Sequence, residues 1–459
     1  MPDRPPRSLS PPWRAAALIG SLFLAVAPAR AGKIASVFSE FRQNAATEIQ
    51  GYPAIYRWDP KEAPDTPAEG PIEDQSNGMF LDIGIQSEGW LSKEEVIKFD
   101  FYYLPTTSNS GMKGYIGSLG DHRRTLPYFG FRELYFKQFS KSMEITIGKA
   151  PISMASSTLY TPADMVHVFG SGDPVEIQKF GVWQYSIDLF VKDDALKFAI
   201  LPFNESPKLP GRQSRWLGGS GDPEFTQLPD TVSSGGLSER FYPTRPRYTG
   251  YLMKYSAIRE SGDYLFSIYT GVSPYPAIAR ATADTALFKI PIRSMILTAG
   301  RSWTKGAWEY HMEGAYQNSY ESRDQDFVRF VYGLTVRESK LANRIGLEEI
   351  RPTFEYGGEA ILRGQTNSDM AATSKYARPF RNTLFSRIEL VLDSTFKIVI
   401  NDIYNFTEND KFFSFGVESA PNDNLTLSAD FHYFEGPAQT YFGRWDRNDR
   451  FQFRFSYKL

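Results

Sequence analysis

The chain is built largely from segments of about ten residues in which apolar and polar side chains alternate. Period-two alternation places successive side chains on opposite faces of a β-strand. The clearest case is the last segment, 450–459, whose one face is almost entirely aromatic and whose other face is polar or cationic. A strand of this kind suits a wall between lipid and water. The apolar face carries Phe451, Phe453, Phe455, Tyr457 and Leu459, and the polar face carries Gln452, Arg454, Ser456 and Lys458.

Segments with the same alternation recur along the whole chain and predict an all-β, antiparallel transmembrane barrel of about 18 strands. An even number keeps both chain ends on the periplasmic side, and 16 is the alternative if the weak first segment is not a strand and one other segment is misread. The segments are 46–58 (weak), 79–87, 96–104, 128–138, 143–149, 180–190, 196–204, 248–257, 263–272, 286–300, 306–316, 327–337, 345–362, 382–392, 395–406, 411–420, 425–434 and 450–459.

The connections between these segments alternate in length, which is a second and independent sign of a barrel. Long outer loops and short periplasmic turns follow one another in barrels of this kind. One link, 407–410, is short where a long one is expected. The long links are 105–127, 150–179, 205–247, 273–285, 317–326, 363–381 and 435–449.

The N-terminal region precedes this pattern and has a different character. Three arginines, an apolar run over 15–27 and Ala29-Arg30-Ala31 predict a secretory signal peptide over 1–31, removed on export. Apolar residues at helical spacing then predict a short helical segment over 32–45, either at the periplasmic mouth or as a small plug. The barrel is expected to occupy 46–459.

Composition excludes several classes of function. The chain has no cysteine, so neither disulfides nor thiolate metal sites are possible. Its net charge of −2 argues against a nucleic-acid partner. A mean hydropathy of −0.38 is compatible with a barrel, because only alternate residues face lipid. No phosphate-binding motif and no full set of spaced metal ligands is found, so no cofactor and no metal site are predicted.

The inward face of the predicted strands carries charges of both signs. Individually, such residues are often paired in salt bridges that affect no solute. Together, they are expected to line water, because burying so many charges without it would be prohibitive. The predicted pore-lining residues are Lys98, Asp100, Glu309, His311, Glu313, Arg329, Arg337, Glu355, Glu359, Arg387, Glu389 and Arg454.

The longest link, 205–247, is rich in proline and glycine, and a loop of this length is usually functional or disordered. Folded inward, it would narrow the pore with an arginine cluster that favours anionic solutes. An exposed outer loop is the equal alternative. The candidate constriction residues are Arg212, Arg215, Arg240 and Arg245.

A hydrolase within the barrel is a further alternative, since histidine with an acidic partner is one requirement for hydrolysis. Two of the four histidines have such a neighbour in sequence, His122 beside Asp121 and His167 after Asp164. Loop histidines near aspartates are common, so no catalytic residues are predicted and the protein is not expected to be an enzyme.

Three sequence runs together resemble a family of proteobacterial outer-membrane porin-like barrels. They are 132–136 (R-E-L-Y-F), 143–149 (M-E-I-T-I-G-K) and 161–164 (T-P-A-D), and the C-terminal strand adds to the likeness. The chain has Met154-Ala155 where the family tends to have Trp-Gly, and Leu459 where its last residue is usually aromatic.

The resemblance implies a Gram-negative outer-membrane channel for passive diffusion of small solutes. The implied partners are outer-membrane lipid, lipopolysaccharide and, through 450–459, the barrel-assembly machinery. A scaffold or secretion sleeve for a partner protein or polymer is the alternative, and its lumen would be blocked until the partner is present. Solute and oligomeric state are left open.

Overall fold

A computed structural model shows the fold. The predicted signal peptide and, apart from Ala45, the predicted helical segment lie outside the residues it describes. Those residues are 45–56, 77–104, 129–154, 156–170, 175, 178–205, 238–239, 248–275, 277–280, 287–366, 370–372, 378–437 and 440–459.

Eighteen strands form one closed antiparallel sheet, in which each strand pairs with the next along the chain and the last pairs with the first. They are β1 (Ala46–Tyr56), β2 (Asn77–Ser92), β3 (Glu95–Tyr103), β4 (Phe129–Phe139), β5 (Met143–Ala150), β6 (Val182–Val191), β7 (Asp194–Leu201), β8 (Gly250–Arg259), β9 (Gly262–Val272), β10 (Arg293–Lys305), β11 (Trp308–Ser319), β12 (Asp326–Val336), β13 (Glu349–Arg363), β14 (Asn382–Val391), β15 (Phe396–Asn405), β16 (Asp410–Asn422), β17 (Leu425–Glu435) and β18 (Arg450–Lys458).

The prediction of an 18-stranded antiparallel barrel is confirmed, and the weak segment at 46–58 supplies β1. One predicted strand, 286–300, is wrong at its first end. The structure divides it into a short strand, Leu287–Ile290, outside the barrel sheet and β10, which begins at Arg293. Pro291 lies between them, and proline has no N–H to donate to a strand ladder.

The two ends of the barrel differ as the link lengths predict. One end, called the turn end here, has tight links such as 93–94, 192–193 and 306–307, and the first residue of β1 and the last residue of β18 lie there. A short helix, α1 (Lys340–Arg344), occupies the link before β13 at this end. No helix in the described part of the chain is long and apolar enough to cross a membrane.

The opposite end, called the loop end, has the long links, with 406–409 as the short exception. Strand pairing joins several of these links to one another. Residues 277–280 pair with 287–290 and with 370–372, and 238–239 pair in parallel with 288–289. The backbones of three links therefore meet in one four-stranded sheet at the loop end.

The side chains divide between two faces as the alternation predicts. On β18, Phe451 and Phe453 are 59% and 51% exposed on the outer face, whereas inward Arg450 and Gln452 are buried. Where β18 pairs with β1, a side chain at Gly51 would overlap the ring of Phe455, so glycine leaves room for this ring above the pair of strands. Other exposed outward residues are Ile187, Phe198, Tyr251, Phe266, Met312, Tyr332 and Phe415.

Candidate functional site

The link between β5 and β6 enters the barrel instead of staying at its rim. We call residues 151–167 of this link the strap; residue 155 is outside the described part. The strap lies against the inner wall from β6 round to β14. On β8, the ammonium of Lys254 donates to the carbonyl of Ser153 over 2.8 Å. On β10, a side chain at Gly300 would overlap the hydroxyl of Ser156, so glycine makes room for the strap.

One side of the strap is apolar and packs on an apolar part of the inner wall. Ile152, Met154 and Met165 are almost fully buried there. Removing such side chains from water is the main favourable contribution to their docking. The sequence analysis expects polar residues across the inner face, and this patch departs from that expectation because it binds the strap. Its wall residues are Val182, Ala199, Leu201, Leu252, Tyr269, Ile296, Ala315 and Phe327.

The tip of the strap is held by two carboxylates, the first of which is Glu313 on β11. Its Oε2 accepts the backbone N–H of Ser156 over 2.7 Å and that of Ser157 over 3.3 Å. Its Oε1 accepts the N–H of Ala163 over 2.7 Å. The two serine hydroxyls lie 3.3 and 3.2 Å from Oε2. Glu313 is thus buried beneath the strap and satisfied by it.

The second carboxylate is Glu355 on β13. Its Oε1 accepts the N–H groups of Thr158 and Leu159, and its Oε2 accepts that of Tyr160, each over 2.8 Å. The Nε2 atom of His311 lies 2.7 Å from Oε1 of the same carboxylate. Two barrel side chains therefore accept hydrogen bonds from six backbone N–H groups of the strap. Because both acceptors are carboxylates, these bonds are stronger than bonds to neutral acceptors.

His311 and Glu355 meet across the intervening strand β12, and a glycine permits this contact. Gly333 pairs with His311 on one side and with Glu355 on the other. A Cβ atom at Gly333 would lie 2.6 Å from both the His311 Nε2 and the Glu355 Cγ. A side chain at this position would therefore overlap both groups and disturb the contact between them.

The base of the strap is closed by a histidine. Nε2 of His167 accepts the N–H of Ile152 over 3.0 Å, and its Nδ1 donates to Oδ1 of Asp164 over 2.5 Å. The ammonium of Lys179 lies 2.5 Å from Oδ2 of Asp164. Burial alone would raise the pKa of Asp164, but the hydrogen bond from His167 and the charge of Lys179 hold this pKa below its usual value.

This geometry bears on the hydrolase alternative. The structure does bring His167 and Asp164 together, but both ring nitrogens are engaged, so His167 has no basic nitrogen available for a substrate proton. His432 accepts from the guanidinium of Arg450 through Nδ1 over 3.1 Å, and His311 faces Glu355. The pair Asp121 and His122 lies outside the described residues.

Tyr160 joins the strap to aromatic residues of β14 and of the link before it. Its ring stacks on Phe385 with centroids 4.9 Å apart and contacts Phe380 at 5.6 Å. The guanidinium of Arg329 lies 5.4 Å from the same ring. Burial raises the pKa of the Tyr160 hydroxyl, although the charge of Arg329 opposes this. Tyr160 therefore stays neutral at any physiological pH.

Arg378, in the link after β13, joins several loop-end links to the wall. It is fully buried and bonds to Glu359 over 2.9 Å, to Gln325 over 2.6 Å and to Asp324 over 3.4 Å. Its guanidinium lies 4.1 Å from the ring centre of Phe327. Arg378 is not among the residues predicted from the sequence, because loop residues carry no alternation that would mark them as inward.

The last link of the chain also folds over the wall at the loop end. The link contains a short 3-10 helix, Gly443–Asn448, which Phe442 precedes and which includes Trp445. These two side chains form one cluster with inward Phe412 and Phe434. Oδ2 of Asp410 accepts the N–H of Phe442 over 2.6 Å. The loop end is thus occupied by several inward-folded segments, and among the described ones the strap reaches furthest round the wall.

The residues predicted to line the pore fall into two groups by position. Near the turn end, the side chains of Lys98, Glu309, Arg337 and Arg387 are partly exposed, as is residue Arg454. Several of these make ion pairs, such as Lys98 with Glu133 at 3.3 Å. Towards the loop end the charged side chains are buried. This second group comprises Asp100, His311, Glu313, Arg329, Glu355 and Glu359.

Glu389 and the candidate constriction residues belong to neither of these two groups. Glu389 is mostly buried and bridges Arg387 at 2.6 Å and Arg351 at 3.1 Å. The candidate constriction residues Arg212, Arg215, Arg240 and Arg245 all lie outside the described residues. Their inward folding, like the lining of a pore by the residues above, stays a prediction.

Comparison with known proteins gives a fold likeness only. No family model matches the chain, and no curated protein matches it. Its structural neighbours are outer-membrane β-barrel proteins of Gram-negative bacteria. OccK8 (OprE) of Pseudomonas aeruginosa is 10% identical, with 91% of this chain and 98% of that chain covered and a TM-score of 0.46.

Two other neighbours are equally distant in sequence. Wzi of Escherichia coli, a carbohydrate-binding β-barrel involved in group 1 capsule assembly, is 9% identical, covering 94% of this chain and 87% of its own at a TM-score of 0.46. OmpF of Salmonella typhi is 8% identical, covering 91% and 97% at 0.41. At these values the likeness carries no argument about function, and the fold rests on the strand pairing itself.

Proposed function

We propose that the protein is an outer-membrane channel for passive diffusion of small solutes, narrowed by the strap. The observation that supports it is how the inward face of the closed barrel is divided. Near the turn end its charged side chains are partly exposed, and towards the loop end the strap covers it. A pair such as Lys397 and Glu418, 2.8 Å apart and each about one-third exposed, is solvated within the barrel. Such groups tune the passage of ions and solutes through a hydrated pore.

The proposed location is the outer membrane of a Gram-negative bacterium, with the turn end in the periplasm and the signal peptide removed. The outward apolar residues would contact lipid and lipopolysaccharide, and β18 would be presented to the barrel-assembly machinery. Transport by diffusion needs no cofactor. A planar bilayer provides the test, since the purified protein should give discrete conductance steps.

The scaffold or secretion sleeve remains the second candidate, and one observation favours it. Inward residues near the loop end are buried, among them Ser294 on β10, Gln317 on β11 and Thr383 on β14. A lumen covered there would fit a barrel that opens only for a partner. It predicts no conductance by the protein alone in the same bilayer experiment, so one measurement separates the two functions.

The proposed membrane position predicts different effects for two neighbouring residues of β18. Phe453→Arg should prevent assembly, because a cation facing the lipid midplane costs about 2–4 kcal/mol, whereas Arg454→Ala changes an inward position and should assemble normally. Heat-modifiable gel mobility of outer-membrane fractions measures this. Equal behaviour of the two variants would contradict the assignment of the faces to lipid and water.

The charges near the turn end predict an effect on ion selectivity. Glu309 is 37% exposed and 3.9 Å from Arg337, which is 62% exposed. Glu309→Gln leaves Arg337 less compensated, so the zero-current potential in a salt gradient should shift towards anion preference. Arg337→Gln should shift it towards cations. If both potentials stay at the wild-type value, permeating ions do not pass these side chains.

A further inference from the structure

We propose that the strap is an acid-released gate, held in place by Glu313, Glu355 and His167 in the forms that these groups have at neutral pH. The inference rests on the proposed channel function, because a gate needs a pore. It concerns three titratable side chains that each bond directly to the strap backbone. The hydrogen bonds that each of the three side chains makes depend on its protonation state.

The carboxylates hold the strap as charged acceptors. Glu313 takes three backbone N–H groups and Glu355 takes three more. A charged acceptor makes hydrogen bonds roughly twice as strong as a neutral one. Protonation removes that charge, and it also converts one acceptor oxygen into a donor that would face the N–H groups of the strap.

His167 holds the base of the strap in the opposite charge state. Its Nε2 atom accepts the N–H of Ile152 while its Nδ1–H is donated to Asp164. A doubly protonated imidazole is a donor at both nitrogens and accepts at neither. Acid therefore removes the bond that joins the two ends of the strap, at Ile152 and His167.

Other charged groups face these anchors and modify the response. The Nε2 atom of His311 lies 2.7 Å from Oε1 of Glu355 and belongs to the same anchor. Arg329 and Glu359 lie on the wall beside Tyr160, with Arg329 5.4 Å from its ring and 3.6 Å from Glu359. Lys179 favours the ionised form of Asp164 at the strap base.

Release would separate the strap from its apolar bed. Met154 is buried between the strap and the inner wall, and it would become accessible from the lumen. The chain has no cysteine, so a single introduced thiol reports on one position without background labelling. Met154→Cys places a smaller side chain at this position, which therefore fits the existing space.

The experiment compares thiol labelling of Met154→Cys at neutral pH and at about pH 4, close to the ordinary pKa of a carboxyl group. Ser394→Cys, on an exposed turn, is the matched control that corrects for the slower chemistry of thiols in acid. The expected result is that the labelling rate of Met154→Cys, divided by that of Ser394→Cys at the same pH, is at least tenfold higher in acid than at neutral pH. Heat-modifiable gel mobility, checked at both pH values, shows that the barrel stays folded.

A second arm replaces the titratable groups. Glu313→Gln in the Met154→Cys background should already label rapidly at neutral pH and respond less to acid, whereas Glu309→Gln, on the same strand near the turn end, should behave like the parent. A ratio that does not change in acid would overturn the gate. Labelling requires no conductance, so a strap released by acid in a protein that conducts no ions would contradict the channel, and with it the role of the strap as a gate, while the acid release itself would stand.

Discussion

Replacing Met154–Met165 with three glycines is expected to raise single-channel conductance several-fold. The deletion removes the part of the strap that covers the inner wall from β6 to β14. The cut ends should join without strain, because the bond from the N–H of Ile152 to Nε2 of His167, 3.0 Å long, already holds the two ends of the strap together. Three residues span up to about 10 Å. Planar-bilayer recording of wild type and variant measures the difference.

A second deletion serves as the comparison for the first. Removing residues 212–240 from the longest link tests whether its arginine cluster narrows the pore. If the strap forms the narrowest point, the first deletion has the larger effect, and the second changes conductance little. A correctly folded strap deletion with wild-type conductance would show that solutes do not pass the strap, and a large effect of 212–240 would assign the constriction to the longest link.

The barrel could be predicted from the sequence because its determinants are local. Alternation identifies a strand within ten residues, and the lengths of the links give the order of turns and loops. The same local signal assigned Phe453 and Arg454 to opposite faces, and the exposure of Phe453 agrees with this. The sequence places the start of β10 too early, because the alternation continues through Pro291 although the strand's hydrogen-bond ladder does not.

The strap could not be predicted, because it depends on contacts between residues far apart in the chain. Ser156 and Glu313 are separated by 157 positions, and no periodicity marks a loop segment that binds to a wall. For the same reason the alternation assigns Glu309 and Glu313 equally to the inner face of β11. The structure shows Glu309 partly exposed and Glu313 buried under the strap. Position along the barrel axis, which alternation does not report, makes this difference.

Arg378→Met is expected to destabilise the barrel by about 3–5 kcal/mol, the usual cost of removing one partner from a buried ionic group. The arginine lies between the carboxylates of Glu359 and Asp324, both buried, and methionine would compensate neither charge. Glu359 retains Arg381 at 3.4 Å and Arg329 at 3.6 Å, while Asp324 retains a bond from Gln317 at 3.2 Å. Urea unfolding of the protein in lipid vesicles, followed by tryptophan fluorescence, measures the free energy of unfolding.

Arg337→Met is the matched control for this destabilisation. Arg337 is mostly exposed and 3.9 Å from Glu309, and such a surface pair contributes about 0–1 kcal/mol. Adding Asp324→Asn to Arg378→Met should recover part of the loss, because the second change removes a charge that the first leaves uncompensated. An additive double variant would mean that Arg378 acts through its packing on Phe327, 4.1 Å from its guanidinium, and not through the buried charges. Arg378 would then stabilise the loop end as an apolar side chain does, and methionine should cost little.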